Sequence, residues 1–93
     1  MIKSFKQKGL ERLFTKGSAS GVQADYAGRI TQMLDAIDAA EQVNELDMPG
    51  FRLHRLKGDK RRTLWSVRVS ANWRITFEFE KGDAYILDLE DYH

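Results

Sequence analysis

The chain has no cysteine, a single proline in 93 residues, and no apolar run approaching the ~18 residues that cross a bilayer. Without cysteine there are no disulfides, no thiolate metal ligands and no thiol nucleophile, a composition that fits a cytoplasmic setting. One proline and seven glycines do not make a low-complexity linker. The opening MIKSFKQKG lacks the apolar stretch of a signal peptide, so export by that route is not expected. What is present is 42% hydrophobic and 31% charged residues with a net charge of +1, too apolar and too balanced for a disordered tail. The length suits one domain, residues 1–93. Such a chain buries somewhat more than ~60% of its unfolded surface, enough for one modest core. A large cofactor domain does not fit; a small binding module or a compact enzyme does.

The near-zero net charge conceals strong segregation. Residues 1–16 carry Lys3, Lys6, Lys8, Arg12 and Lys16 against Glu11, a balance of +4. Residues 25–47 carry Asp25, Asp35, Asp38, Glu41, Glu45 and Asp47 against Arg29, a balance of −5. Residues 52–74 set Arg52, Arg55, Lys57, Lys60, Arg61, Arg62, Arg68 and Arg74 against Asp59, a balance of +7. Residues 75–93 return to −5. Blocks of this kind either build a local electrostatic footprint for a polyanion or neutralise one another across neighbouring elements.

The hydrophobic period changes midway. Residues 2–5 alternate and suit a short first strand. Leu10, Leu13 and Phe14 recur at helical spacing over 8–16, and Gly17 stands where a helix end needs positive φ. From about 22 to 40, Tyr26, Ala27, Ile30, Met33, Leu34, Ile37 and Ala40 define a one-sided amphipathic helix. After the turn cluster Asp47-Met48-Pro49-Gly50 the period becomes 2. Strands are expected over 51–56, 65–70, 73–80 and 84–89, with a hairpin turn at Lys81-Gly82-Asp83 and a tight connection at Ala71-Asn72. The expected architecture is α+β: two N-terminal helices packed on one face of a mainly antiparallel, C-terminal sheet of four to five strands.

If the apolar set of each strand faces the helices, the other set forms an open face. Ser66, Arg68, Ser70, Arg74 and Thr76 are then neighbours on one exposed surface, while Trp65 and Trp73 belong to the core. His54 falls with Arg52 and Leu56, although Arg55 and Leu56 blur the alternation. Two histidines, several cations and a tyrosine form a set suited to phosphodiester cleavage. Histidine exchanges protons near neutral pH. Arginine and lysine stabilise charge on phosphate oxygens. Tyrosine offers a stacking face and a hydroxyl. The histidines have no metal-ligand spacing, and neither a Gly-rich phosphate loop nor a Gly-x-Ser-x-Gly elbow is present. No metal or cofactor is expected.

Several short segments recur in a familiar order: Ile2-Lys3-Ser4-Phe5 with Lys8-Gly9-Leu10, then Leu53-His54-Arg55-Leu56-Lys57-Gly58-Asp59 and Trp65-Ser66-Val67. Ala71-Asn72-Trp73-Arg74-Ile75-Thr76-Phe77 follows, then Gly82-Asp83-Ala84-Tyr85 and the terminal Asp91-Tyr92-His93. In this combination, across nearly the whole chain, the sequence resembles the HigB branch of the RelE-like toxins of bacterial type II toxin–antitoxin pairs. The resemblance implies a ribosome-dependent endoribonuclease (mRNA interferase) that cuts mRNA in the ribosomal A site and inhibits translation. The RNA's own 2′-OH would attack without a metal, leaving a cyclic phosphate and a 5′-OH.

Carried over by position, the resemblance makes His54, Asp91, Tyr92 and His93 the catalytic set. Lys57 and Arg74 supply charge at the scissile phosphate. His93 would be the general base, His54 a phosphate or leaving-group contact, Tyr92 the residue that orients the nucleotide, and Asp91 a holder of a neighbouring side chain. Arg68, Lys60, Arg61 and Arg62 are further RNA-binding candidates. The loop carrying the last three is longer and more basic than the family pattern, and reads either as a solvated loop or as a contact to ribosomal RNA backbone. The implied partners are the 70S ribosome, mRNA and a cognate helix-turn-helix antitoxin of the HigA type. Operator DNA would be reached only through that antitoxin, and no membrane is involved. The competing reading is a non-catalytic ribosome- or RNA-binding module that uses the same basic sheet face.

Overall fold

In the computed structural model, residues 1–56 and 63–91 are described. The first helix, α1 (Lys8–Lys16), starts where the Gln7 side chain accepts the Leu10 N–H at 2.7 Å. It ends at Gly17, whose φ of +68° lets its N–H and that of Ser18 return to the carbonyls of Leu13 and Arg12. The second, α2 (Ala24–Ala39), buries Ile30, Met33, Leu34 and Ile37 at the spacing of one helical face. Gly9 lies against the backbone of Gly21 in the connection between the helices so closely that a β-carbon there would collide with the Gly21 carbonyl. A 3₁₀ turn not anticipated from the sequence, Val43–Leu46, follows. There the Glu45 carboxylate accepts the N–H groups of Glu41 and Gln42, and Leu46 is buried.

Four strands then form one antiparallel sheet in chain order: β1 (His54–Leu56), β2 (Leu64–Arg68), β3 (Trp73–Glu80) and β4 (Asp83–Asp91). The expected α+β architecture is observed. Val67, Val69, Ile75, Phe77, Ala84 and Leu87 pack with Leu10, Leu13 and the α2 stripe in a common core. Trp65 and Trp73 pack against it, partly buried. Residues 2–5 make two isolated parallel bridges to β4, Ile2 to Ala84 and Phe5 to Leu87, in place of a continuous strand.

The expected strand at 51–56 is shorter in the structure. Phe51 closes a turn by donating its N–H to the Met48 carbonyl, and Arg52 adopts φ +48°, which interrupts an extended run. Extended pairing therefore begins at His54. The connection between β2 and β3 is likewise wider than Ala71-Asn72. Val69 and Ser70 both donate to the Trp73 carbonyl, and the Ser70 hydroxyl accepts from the N–H groups of Asn72 and Trp73.

The one base in the acidic block, Arg29, ties α2 to this end of the sheet. Its Nε donates to the Val69 carbonyl at 2.9 Å, and its Nη2 to those of Gly50 and Arg68 at 2.6 and 3.2 Å. Arg29→Met keeps the apolar stem but strands these acceptors, at a cost of about 1–3 kcal/mol. A domain this size should then melt roughly 4–8 °C lower for each kcal/mol lost, as a thermal denaturation curve would show. A melting point equal to wild type would show that water replaces the guanidinium without loss.

Candidate active site

The site follows from the side of the sheet that carries no helix. Strand pairing places His54 opposite Ser66, and Ser66 opposite Thr76, in one row across β1, β2 and β3. Two residues further along lies a second row, Arg68 opposite Arg74 and Arg74 opposite Glu90. Directly opposed Cα atoms are about 4.5–5.5 Å apart, and residues two apart on one strand about 6.6 Å. The long side chains of both rows therefore reach a common volume. A cleft of about 290 Å³ is found there, lined by Arg52, Leu53, His54, Ser66, Arg68 and Arg74.

Ser66 and Thr76, expected on an exposed surface, are buried at 5% and 4% exposure. Short hydroxyl side chains lie low between long neighbours, so they form a floor beneath the guanidinium groups. Arg68 is partly buried, with Nε donating to the Ser70 carbonyl at 3.1 Å. Arg74 is also partly buried, and its Nη2 meets Glu90 Oε1 at 2.8 Å. His54 and Arg52 are exposed at the rim.

A larger cleft, about 480 Å³, opens toward the other end of the strands and is lined by Ser4, Thr63, Glu78, Phe79, Glu80, Tyr85 and Ile86. Its carboxylates repel a polyanion, whereas the smaller cleft gathers three guanidinium groups and an imidazole. Charge, rather than volume, makes the smaller cleft the candidate place for a phosphodiester.

Asp91 ends β4 opposite Trp73, on the strand position that alternates away from Glu90. The chain continues from there to Tyr92 and His93. These two residues, with Lys57, Lys60, Arg61 and Arg62, lie outside the described residues. Of the expected site, the structure thus brings together His54, Arg68 and Arg74, and sets Asp91 at the end of the neighbouring strand.

A family model for the RelE-like toxin of the type II toxin–antitoxin system HigB matches residues 3–93. The chain belongs to this toxin family. It is also 58% identical over 93 residues to an endoribonuclease HigB of Proteus vulgaris, covering all of both chains. The candidate site of this toxin, the cleft and the residues that hold its lining, includes contributors that sequence reasoning passes over. Arg52 contributes to the basic balance of residues 52–74 in the sequence but is not among the residues expected in the site. Glu90 enters the sequence reading only through the acidic balance of residues 75–93. The signal for Glu90 is its register opposite Arg74, which exists only once the hairpin pairing of β3 and β4 is known.

Proposed function

We propose that this toxin is a ribosome-dependent mRNA endoribonuclease that cleaves in the ribosomal A site by metal-free attack of the RNA 2′-OH. The observation that carries this reading is the convergence of His54, Arg68 and Arg74 over a hydroxyl floor, one strand from the end that continues into Tyr92-His93. In the step proposed, the 2′-oxygen bonds to phosphorus as the bond from phosphorus to the 5′-oxygen breaks, giving a cyclic phosphate and a 5′-OH. His93 takes the 2′-OH proton, and His54 contacts the phosphate or the departing 5′-oxygen, which must gain a proton. Arg74 and Lys57 offset the charge that grows on the phosphoryl oxygens. Tyr92 orients the nucleotide, and Asp91 holds a neighbouring side chain.

Arg68 and the run Lys60, Arg61 and Arg62 add phosphate-backbone contacts. The inhibitory partner in this reading is a helix-turn-helix antitoxin of the HigA type, which alone reaches operator DNA. The setting is the cytoplasm, where ribosomes are. The family assignment and the relative's endoribonuclease name support this reading together with the cleft.

Adding the protein to a translation extract should produce message cut within codons and bearing 5′-OH ends, while the same RNA without ribosomes stays intact. Intact message combined with ribosome binding that weakens steeply with salt would replace this reading with that of a non-catalytic binding module.

A further inference from the structure

The reading above leaves unexplained how a guanidinium set among other cations is held still enough to serve a phosphate. Arg68 and Arg74 are directly opposed on β2 and β3, and like charges in that relation repel. The structure pulls them different ways. Arg68 turns along its own strand to the Ser70 carbonyl. Arg74 turns across the sheet to Glu90, its directly opposed neighbour on β4.

We propose that Glu90 is the positioning residue for Arg74, fixing the guanidinium plane so that it faces the cleft. This rests on Arg74 acting at the scissile phosphate, as proposed above. The side from which Glu90 acts is decisive. The cleft is lined from segment 52–54, β2 and β3, with Arg74 at its boundary, and Glu90 is not among its lining residues. The carboxylate therefore grips Arg74 from behind, on the β4 side, and does not occupy the position of a substrate phosphate. Arginine is suited to this use. Its donors form a rigid planar fork, so anchoring one nitrogen sets the direction of the others. Arg74 retains 22% side-chain exposure against 41% for Glu90, so the anchor is the more accessible partner and the anchored group the more enclosed one. Glu90 touches no reacting atom in this scheme. Its contribution is geometric, through Arg74.

The test compares Glu90→Ala, Glu90→Gln, Arg74→Ala and the Glu90→Ala/Arg74→Ala double variant, each mixed with translating ribosomes below every variant's melting temperature. The saturated cleavage rate and the half-saturating concentration are read separately. Glu90→Ala should lower the saturated rate by on the order of tenfold to a hundredfold, with half-saturation little changed, because misplacing a catalytic contact by about 1 Å costs up to about a hundredfold. Glu90→Gln keeps an acceptor oxygen at the same reach and should recover much of that loss.

In the Arg74→Ala background, Glu90→Ala should cost nothing further, since the group it positions is gone. A Glu90→Ala variant that cleaves as fast as wild type overturns the positioning role. So does a loss of equal size in the Arg74→Ala background. An Arg74→Ala variant with wild-type cleavage instead overturns the assignment of Arg74 itself, and is thereby distinguished from failure of the Glu90 proposal.

Discussion

Deleting His93 should lower mRNA cleavage in a translation extract by about 10²–10⁴-fold, the usual contribution of a positioned general base. The melting temperature should stay close to that of the wild type. The two halves of this expectation have separate grounds. The catalytic half rests on the proposed role of His93 in taking the 2′-OH proton. The stability half rests on where the core lies, because every fully buried apolar side chain of the described residues falls between Leu10 and Leu87. His93 is not one of them, so its deletion removes no buried apolar side chain. Residual cleavage should persist, because the phosphate contacts proposed for Arg74 and His54 remain. Wild-type cleavage by the deletion variant would sink the assignment of the base, whatever the variant's stability.

Inserting one alanine between Ile86 and Leu87 should have the largest effect on the fold. Thr76 pairs with Asp88 but Glu78 pairs with Tyr85, so β4 carries one residue more than β3 at this point. Ile86 is part of that β-bulge. Its φ is +49°, a conformation a β-branched residue seldom adopts, and its N–H donates to the Ser4 hydroxyl at 2.8 Å. The extra residue turns the strand over. Before it, Ala84 faces the core; after it, Leu87 and Leu89 do, and Asp88 and Glu90 face the open side.

With that insertion, the register established at the hairpin would send Leu87 and Leu89 outward and Asp88 and Glu90 inward. Each leucine forfeits about 1.5–3 kcal/mol of burial, and each carboxylate driven inward costs several kcal/mol. The total is comparable with the ~5–15 kcal/mol that holds a whole domain together. The insertion variant should show no cooperative thermal transition in near-ultraviolet circular dichroism. Ile86→Gly keeps the residue count, trading relief of about 1–2 kcal/mol of backbone strain against glycine's added entropy and lost side-chain contacts. That variant should fold with a melting point within a few degrees of wild type. A cooperative transition in the insertion variant at the wild-type temperature would show that the extra residue can be absorbed elsewhere.

Much of this toxin was legible in its residues taken in order. The 3.6 period over Ile30, Met33, Leu34 and Ile37 marks α2, because a helix on a core must be apolar on one side. Gly17 marks the end of α1, because the chain there needs a left-handed residue. The alternation around Arg68 and Arg74 assigned both to the open side, and the resemblance carried by Leu53-His54-Arg55-Leu56-Lys57 and Asp91-Tyr92-His93 led to a family that the comparisons show. These are local signals, each contained in a handful of consecutive residues.

Tertiary structure decided what local signals do not contain. Arg52 enters a left-handed turn after Pro49-Gly50, which shortened the first sheet strand. Ser66 and Thr76 became a buried floor, because burial depends on the length of the side chains on either side of them. Above all, the Ile86 bulge set which face each residue of the second half of β4 presents. Ile86-Leu87 breaks a strict alternation in the sequence, but an uninterrupted strand and a bulged one were both compatible with those letters. Packing against Leu10, Ile30 and Ile75 chooses the bulged one, because only that register buries Leu87 and Leu89 together. The same choice turns Glu90 toward Arg74. The partner of a cation in the candidate site was thus selected by the apolar side of the sheet.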